Sequence, residues 1–118
     1  MNKFRHCFAC DLKNDPQLIL EYKAYHAAGK VWPEITKSIK EAGVLDMQIF
    51  LTGNRMFMII EVNDTFDLAK KAEMDANNPK VQEWEQLMWN FQQALPWANE
   101  GEKWMEMEQI FKLSSSSQ

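Results

Sequence analysis

Two apolar runs of nearly equal length, residues 44–51 and 55–62, meet at Thr52-Gly53-Asn54 in the middle of the chain. A glycine beside an asparagine supplies the backbone freedom that a tight hairpin turn demands, so the runs are expected to fold back as adjacent antiparallel strands. A central hairpin constrains the rest, because the segment before it and the segment after it must pack on one sheet.

The flanks match each other in kind. Phe4–Leu12 is a first strand, with Phe4, His6, Phe8 and Cys10 on one face and Arg5, Cys7 and Ala9 on the other. Asn14-Asp15-Pro16 opens a helix over 16–28, which Gly29 ends. Trp32-Pro33-Glu34 opens a second helix, running to Glu41 and stopped at Gly43. Beyond the hairpin, Asn63-Asp64-Thr65 caps a helix over 66–74, and the break at 75–79 precedes a helix over 80–93. Residues 95–102 read as irregular and 104–113 as a last strand, and the Ser-rich tail at 114–118 is expected to be disordered.

The order β-αα-β-β-αα-β is two β-α-β halves joined by the hairpin. It predicts an α+β fold, the ferredoxin-like split βαβ with one antiparallel sheet and helices on one face, as a single domain over 1–113. Such a sheet has a second, bare face. Five Trp, seven Phe and eight Met are a surplus of large side chains for 118 residues. The surplus fits a homodimer in which two sheets pack face to face, the dimeric α/β barrel.

Composition removes several function classes. With a net charge of −4 and no cluster of Lys and Arg, the chain lacks the basic face that nucleic-acid binding requires. No apolar run approaches the ~18 residues of a membrane span. The opening Met1-Asn2-Lys3-Phe4-Arg5-His6 turns polar too soon for a signal peptide, so a cytoplasmic protein is expected. Cys7-Phe8-Ala9-Cys10 is formally a CxxC, but residues three apart on a strand point to opposite faces and can neither pair nor share a metal. No metal-ligand spacing, glycine-rich phosphate loop or nucleophile elbow is present, so neither a metal nor a cofactor is expected.

The two histidines remain. His6, beside Arg5 on the first strand, reads as a structural or interface residue rather than a catalytic one. His26 follows Tyr22 by one helical turn and shares its face, with Leu18 extending the stripe. From spacing alone that placement favours a hydrogen-bonded core histidine, and the sharper reading is a general acid/base in a pocket under the helix. Trp84 and Met88 form a stripe with Val81, edged by Glu83 and Glu85. The stripe fits a core, and a Trp beside Tyr and His also suits a sugar, whose apolar C–H face stacks on an aromatic plane.

Tyr22-x-x-x-His26, Trp32-Pro33-Glu34, Val81-Gln82-Glu83-Trp84 and Met107-Glu108-Gln109-Ile110-Phe111, in that order, resemble the L-rhamnose mutarotase family over nearly the whole chain. The resemblance implies a small cytoplasmic homodimer of ferredoxin-like fold that interconverts the α and β anomers of a 6-deoxy-L-hexose. It places His26 where the family has its catalytic proton donor, and Tyr22 and Trp84 at substrate contacts. Three departures stand out. Met47 replaces a substrate-contacting Tyr, Glu85 replaces a second Trp, and a longer run separates His26 from Trp32. Retaining the acid/base while changing two sugar contacts implies the same reaction on a different sugar, with L-fucose the natural candidate and L-rhamnose the alternative. Two other classes share the architecture: a haem or small-molecule monooxygenase, and a non-catalytic sugar-binding module.

Overall fold

The computed structural model describes residues 4–114. Strand β1 (Phe4–Leu12) is followed by helices α1 (Pro16–Tyr25) and α2 (Pro33–Glu41), then the hairpin β2 (Val44–Thr52) and β3 (Arg55–Val62). Helices α3 (Leu68–Ala76) and α4 (Pro79–Met88) precede two short strands, β4 (Gln92–Gln93) and β5 (Met105–Glu106). The antiparallel sheet runs β2-β3-β1-β4, and β5 also pairs with β1. This is the ferredoxin-like α+β arrangement that the element order predicts.

Local chemistry sets the boundaries. The Asp15 carboxylate accepts from the N–H groups of Gln17 (2.9 Å) and Leu18 (3.2 Å), capping α1 one residue before Pro16. Asn78 caps α4 in the same way, accepting from Lys80 and Val81 ahead of which stands Pro79. Gly53 takes φ 58 at the hairpin turn. Gly43, between α2 and β2, takes φ 101, and a Cβ there would lie 2.7 Å from Asn63 Oδ1, so the approach of α2 to the end of β3 needs glycine.

Four boundaries differ from the sequence expectation. Helix α3 begins at Leu68 and is capped by Asp67, which accepts from the Lys70 N–H, rather than by Asn63-Asp64-Thr65 ahead of residue 66. Helix α1 stops at Tyr25 rather than near residue 28, which leaves His26 as its C-cap. Helix α4 stops at Met88, where Trp89 and Asn90 close the last turn and the chain then pairs with β1 through Gln92–Gln93. The last strand is not continuous over 104–113. Only Met105–Glu106 of it is strand, as β5, which shares one edge of β1 with β4, and residues 94–104 are an excursion between the two. After Met107, whose N–H bonds the Cys7 carbonyl at 2.7 Å, the chain carries strongly exposed apolar side chains: Ile110 at 89% and Leu113 at 87%. Of the tail expected at 114–118, all but Ser114 lies outside the described residues.

The core lies between the helices and one sheet face. One cluster joins Cys10, Leu12 and Met56 of the sheet to Tyr22, Ile35, Val81, Trp84 and Met88 of the helices. A second joins Phe8, Val44, Ile60 and Val62. On the opposite face, Cys7, Phe57 and Ile59 are half-buried, and Phe50, paired with Phe57 across the hairpin, is 54% exposed. At one end of that face the buried Asp11 carboxylate accepts from Arg55 Nε (2.7 Å) and Nη2 (3.1 Å), and Trp97 from the excursion stacks over the guanidinium at 5.0 Å.

Candidate active site

A cleft of about 580 Å³ opens between the helices and the inner sheet face, and it is lined by all five residues singled out from the sequence: Tyr22, His26, Met47, Trp84 and Glu85. They arrive from three elements. Tyr22 and His26 sit one turn apart at the end of α1, and Trp84 and Glu85 are neighbours on α4. Met47 reaches the cleft because of a bulge. Val44 pairs with Val62 but Asp46 pairs with Glu61, so Leu45 is the extra residue, and Met47, Ile49 and Leu51 then share the inner face with Ile60, Met58 and Met56.

His26 is held from two sides. Its Nδ1–H donates to the Tyr22 backbone carbonyl at 2.9 Å, and its ring stacks on the Tyr22 ring with centroids 4.2 Å apart. A carbonyl only accepts, so in the neutral ring the proton sits on Nδ1 and Nε2 carries the free lone pair. Burial pushes the imidazole below its ordinary pKa of 6.5, and the bond to the carbonyl offsets only part of that. At neutral pH His26 is therefore a base with one available nitrogen.

Tyr22 is 5% exposed, and burial drives its phenol above the ordinary value of 10. The Oη accepts from Gln92 Nε2 at 3.0 Å, which leaves the phenolic hydrogen free to donate. Trp84, 8% exposed, is packed edge-to-face against Trp32 (5.0 Å), His26 (5.7 Å) and Tyr25 (6.3 Å). It belongs to the core and forms part of the cleft wall at once. Glu85 is half-buried rather than on a solvated edge.

The cleft also contains residues that the sequence reading did not single out. Gln92, from β4, is 2% exposed. Lys103, from the excursion, is half-buried with its Nζ 3.4 Å from the Glu85 carbonyl and 4.9 Å from the Trp89 ring centroid. Burial lowers its pKa, and the Glu85 charge partly restores it. Lys71 and Asp75, ion-paired one turn apart on α3, close the far rim. His6 lies elsewhere, with Nδ1 2.7 Å from the Glu106 carboxylate and its ring near Phe66, which agrees with a structural role. Cys7 and Cys10 are free thiols, and burial pushes that of Cys10 up to about 12, so it stays protonated.

A small α+β domain whose aromatic-walled cleft holds a half-buried basic imidazole, a phenol and a carboxamide is suited to moving protons on a compact polyhydroxylated ligand. Residues 5–113 match the sequence profile of the L-rhamnose mutarotase family. The chain belongs to that family, and it is a carbohydrate isomerase of the mutarotase type. It is 43% identical over 116 residues to an L-fucose mutarotase of Xanthomonas campestris pv. campestris, covering 98% of this chain and 93% of that protein. It is 38% identical over 112 residues to a UPF0734 protein of Dictyostelium discoideum, covering 89% of this chain and 86% of that one. Among solved structures, the L-rhamnose mutarotase of Formosa agariphila superposes with a TM-score of 0.68 at 25% identity, covering 93% of this chain and 98% of that one. Tetracenomycin F2 cyclase of Streptomyces glaucescens superposes at 0.62 with 16% identity, covering 95% and 98%, and shares the fold alone.

Proposed function

We propose that this protein interconverts the α and β anomers of a 6-deoxy-L-hexose, L-fucose in preference to L-rhamnose, with His26 carrying the proton. The observation that carries the reading is the pinned Nδ1–H of His26, which leaves Nε2 as the ring nitrogen open to a ligand in the cleft.

The step balances on one residue. Nε2 takes the proton of the anomeric hydroxyl, and C1 becomes a carbonyl as the bond from C1 to the ring oxygen breaks. The electron pair of that bond goes to the ring oxygen, which receives the proton back from Nε2–H. His26 thus acts as proton donor to the ring oxygen after serving as base to the anomeric oxygen. Rotation about C1–C2 and the same steps in reverse give the other anomer, with His26 unchanged. General acid–base catalysis of this kind is worth typically ~10²–10⁴-fold, enough for a reaction that already proceeds slowly in water. Tyr22 orients His26 and donates to a sugar hydroxyl, and Trp84 packs on the ring or its methyl group.

The substrate preference rests on Met47 and Glu85. In the rhamnose pattern a Tyr and a Trp occupy these positions, so exchanging them removes one phenolic hydrogen bond and adds a carboxylate acceptor on the cleft wall. The likeness to a protein named for L-fucose supports the same choice. The half-exposed apolar sheet face around Phe50, Phe57 and Ile59 supports a homodimer packed sheet to sheet. The free thiols of Cys7 and Cys10 suit the cytoplasm.

The test is NMR saturation transfer between the anomeric proton signals of L-fucose and of L-rhamnose, with and without protein. Faster exchange for L-fucose than for L-rhamnose is expected. Faster exchange for L-rhamnose overturns the preference, and unchanged exchange for both sugars overturns the catalytic reading in favour of a binding module.

A further inference from the structure

Gln92 is 2% exposed, lies on the cleft wall and is fixed in place by the pairing of β4 with the end of β1. One end of its carboxamide is used: Nε2 donates to Tyr22 Oη at 3.0 Å. The other end is not, because Oε1 is buried and has no hydrogen-bond partner among the described residues. An unsatisfied buried acceptor weakens a fold, and a leucine or methionine in the same space would avoid that loss. Such an atom is expected where a ligand completes it.

We propose that Gln92 and Tyr22 together read one hydroxyl of the sugar, and that this pair makes the cleft selective among hexoses. The inference rests on the mutarotase reading of the site and names a specificity determinant within it. The Tyr22 oxygen already accepts from Gln92, so its hydrogen is the free one. Gln92 Oε1 is a free acceptor on the adjoining atom of the same carboxamide. The wall therefore presents a donor and an acceptor side by side, in a region too buried for bulk water to compete. A hydroxyl group donates once and accepts readily, so a single correctly placed hydroxyl satisfies both. A methyl group satisfies neither, and an epimer whose hydroxyl points elsewhere leaves both unpaired, which is the arrangement that discriminates most strongly. Gln92 is thereby a binding and specificity residue, whereas proton transfer stays with His26.

The experiment compares wild-type protein with Gln92→Met, which keeps the length and volume of the side chain. Anomer exchange is measured on L-fucose and on its 2-, 3- and 4-deoxy analogues, and binding of the same sugars is measured by titration calorimetry. In the wild type, removal of one particular hydroxyl is expected to lower kcat/KM by on the order of tenfold to a hundredfold. In Gln92→Met that one penalty is expected to shrink by about half on a logarithmic scale, since Tyr22 still donates, while the penalties at the other positions persist. A variant that is uniformly slower, with the wild-type pattern of penalties intact, overturns the proposal and makes Gln92 structural. If the wild type accelerates no sugar, the mutarotase reading fails instead, and the pattern of binding penalties still decides the role of Gln92. The double variant Tyr22→Phe with Gln92→Met removes both polar partners together. It is expected to melt no lower than Gln92→Met and to lose the discrimination that the single variant retains through Tyr22, which separates recognition from folding.

Discussion

Tyr22 holds His26 with its main chain and its side chain at once: the carbonyl accepts the Nδ1–H at 2.9 Å, and the phenol ring lies against the imidazole with centroids 4.2 Å apart. A histidine capping a helix would otherwise be free to turn, and this clamp presents the same nitrogen to the cleft. Replacing His26 with alanine is therefore expected to lower anomer exchange by about 10²–10⁴-fold while leaving the circular dichroism spectrum unchanged. Saturation-transfer NMR decides the matter, and wild-type exchange in the variant would remove His26 from the mechanism.

The same burial sets the pH response. The folded imidazole titrates below its ordinary 6.5, so the basic form persists through neutrality and activity should be flat near pH 7. On acidification the rate should fall with an apparent pKa below that of free histidine. Stability follows the same sign. Between the folded and unfolded pKa values the unfolded chain binds the extra proton, so the contribution of His26 declines as pH falls below about 6.5. Histidine NMR titration, compared with the rate profile, tests both statements.

Restoring the rhamnose pattern should shift the preference. Met47→Tyr combined with Glu85→Trp is expected to raise the L-rhamnose to L-fucose ratio of kcat/KM by on the order of tenfold, the scale of one or two side-chain contacts to a substrate. Exchange rates on the two sugars provide the check, and an unchanged ratio would place the preference elsewhere on the wall.

The apolar sheet face has a direct assay. Phe57→Lys puts a charge at its centre, opposite Phe50, and should convert a dimer into a 13.9 kDa monomer in sedimentation equilibrium. A wild-type protein that already sediments as a monomer would end the sheet-to-sheet proposal.

Gly43 offers a measurement of the frame that carries the site. Alanine there combines φ 101 with a 2.7 Å approach to Asn63 Oδ1, and that oxygen also accepts from the N–H and hydroxyl of Thr65. Gly43→Ala is expected to cost about 1–3 kcal/mol in urea unfolding. A loss well under 1 kcal/mol would show that Asn63 moves aside freely.

Much of this was legible in the chain because the signals are local. The turn at Gly53 and the cap at Asp15 are short-range chemistry, and β3 runs from Arg55 to Val62 as its apolar pattern predicts. Tyr22 and His26 share a face for the same reason, since a helical turn is a property of spacing alone. Met47 is different: counting by twos from Val44 would put Asp46, Gln48 and Phe50 inside, and only the bulge at Leu45 reverses this. The resemblance to a family pointed to Met47, whereas periodicity alone would have left it out. Gln92 and Lys103 were not legible at all. Their positions depend on where α4 stops and where β5 begins, and both are decided by pairing with β1, far earlier in the chain.

That pairing pattern divides the molecule in an unexpected way. β1 comes from the first half of the sequence, yet both its neighbours, β3 on one edge and β4 with β5 on the other, come from the second. His26 and Met47 belong to the first half, and Trp84, Glu85, Gln92 and Lys103 to the second. A peptide cut at the exposed Gly53 turn would therefore leave two fragments with half a cleft each and no complete sheet. Turnover would return only when the fragments found each other, so the chain is naturally divided for use as a complementation reporter whose signal is the anomeric equilibrium of a sugar.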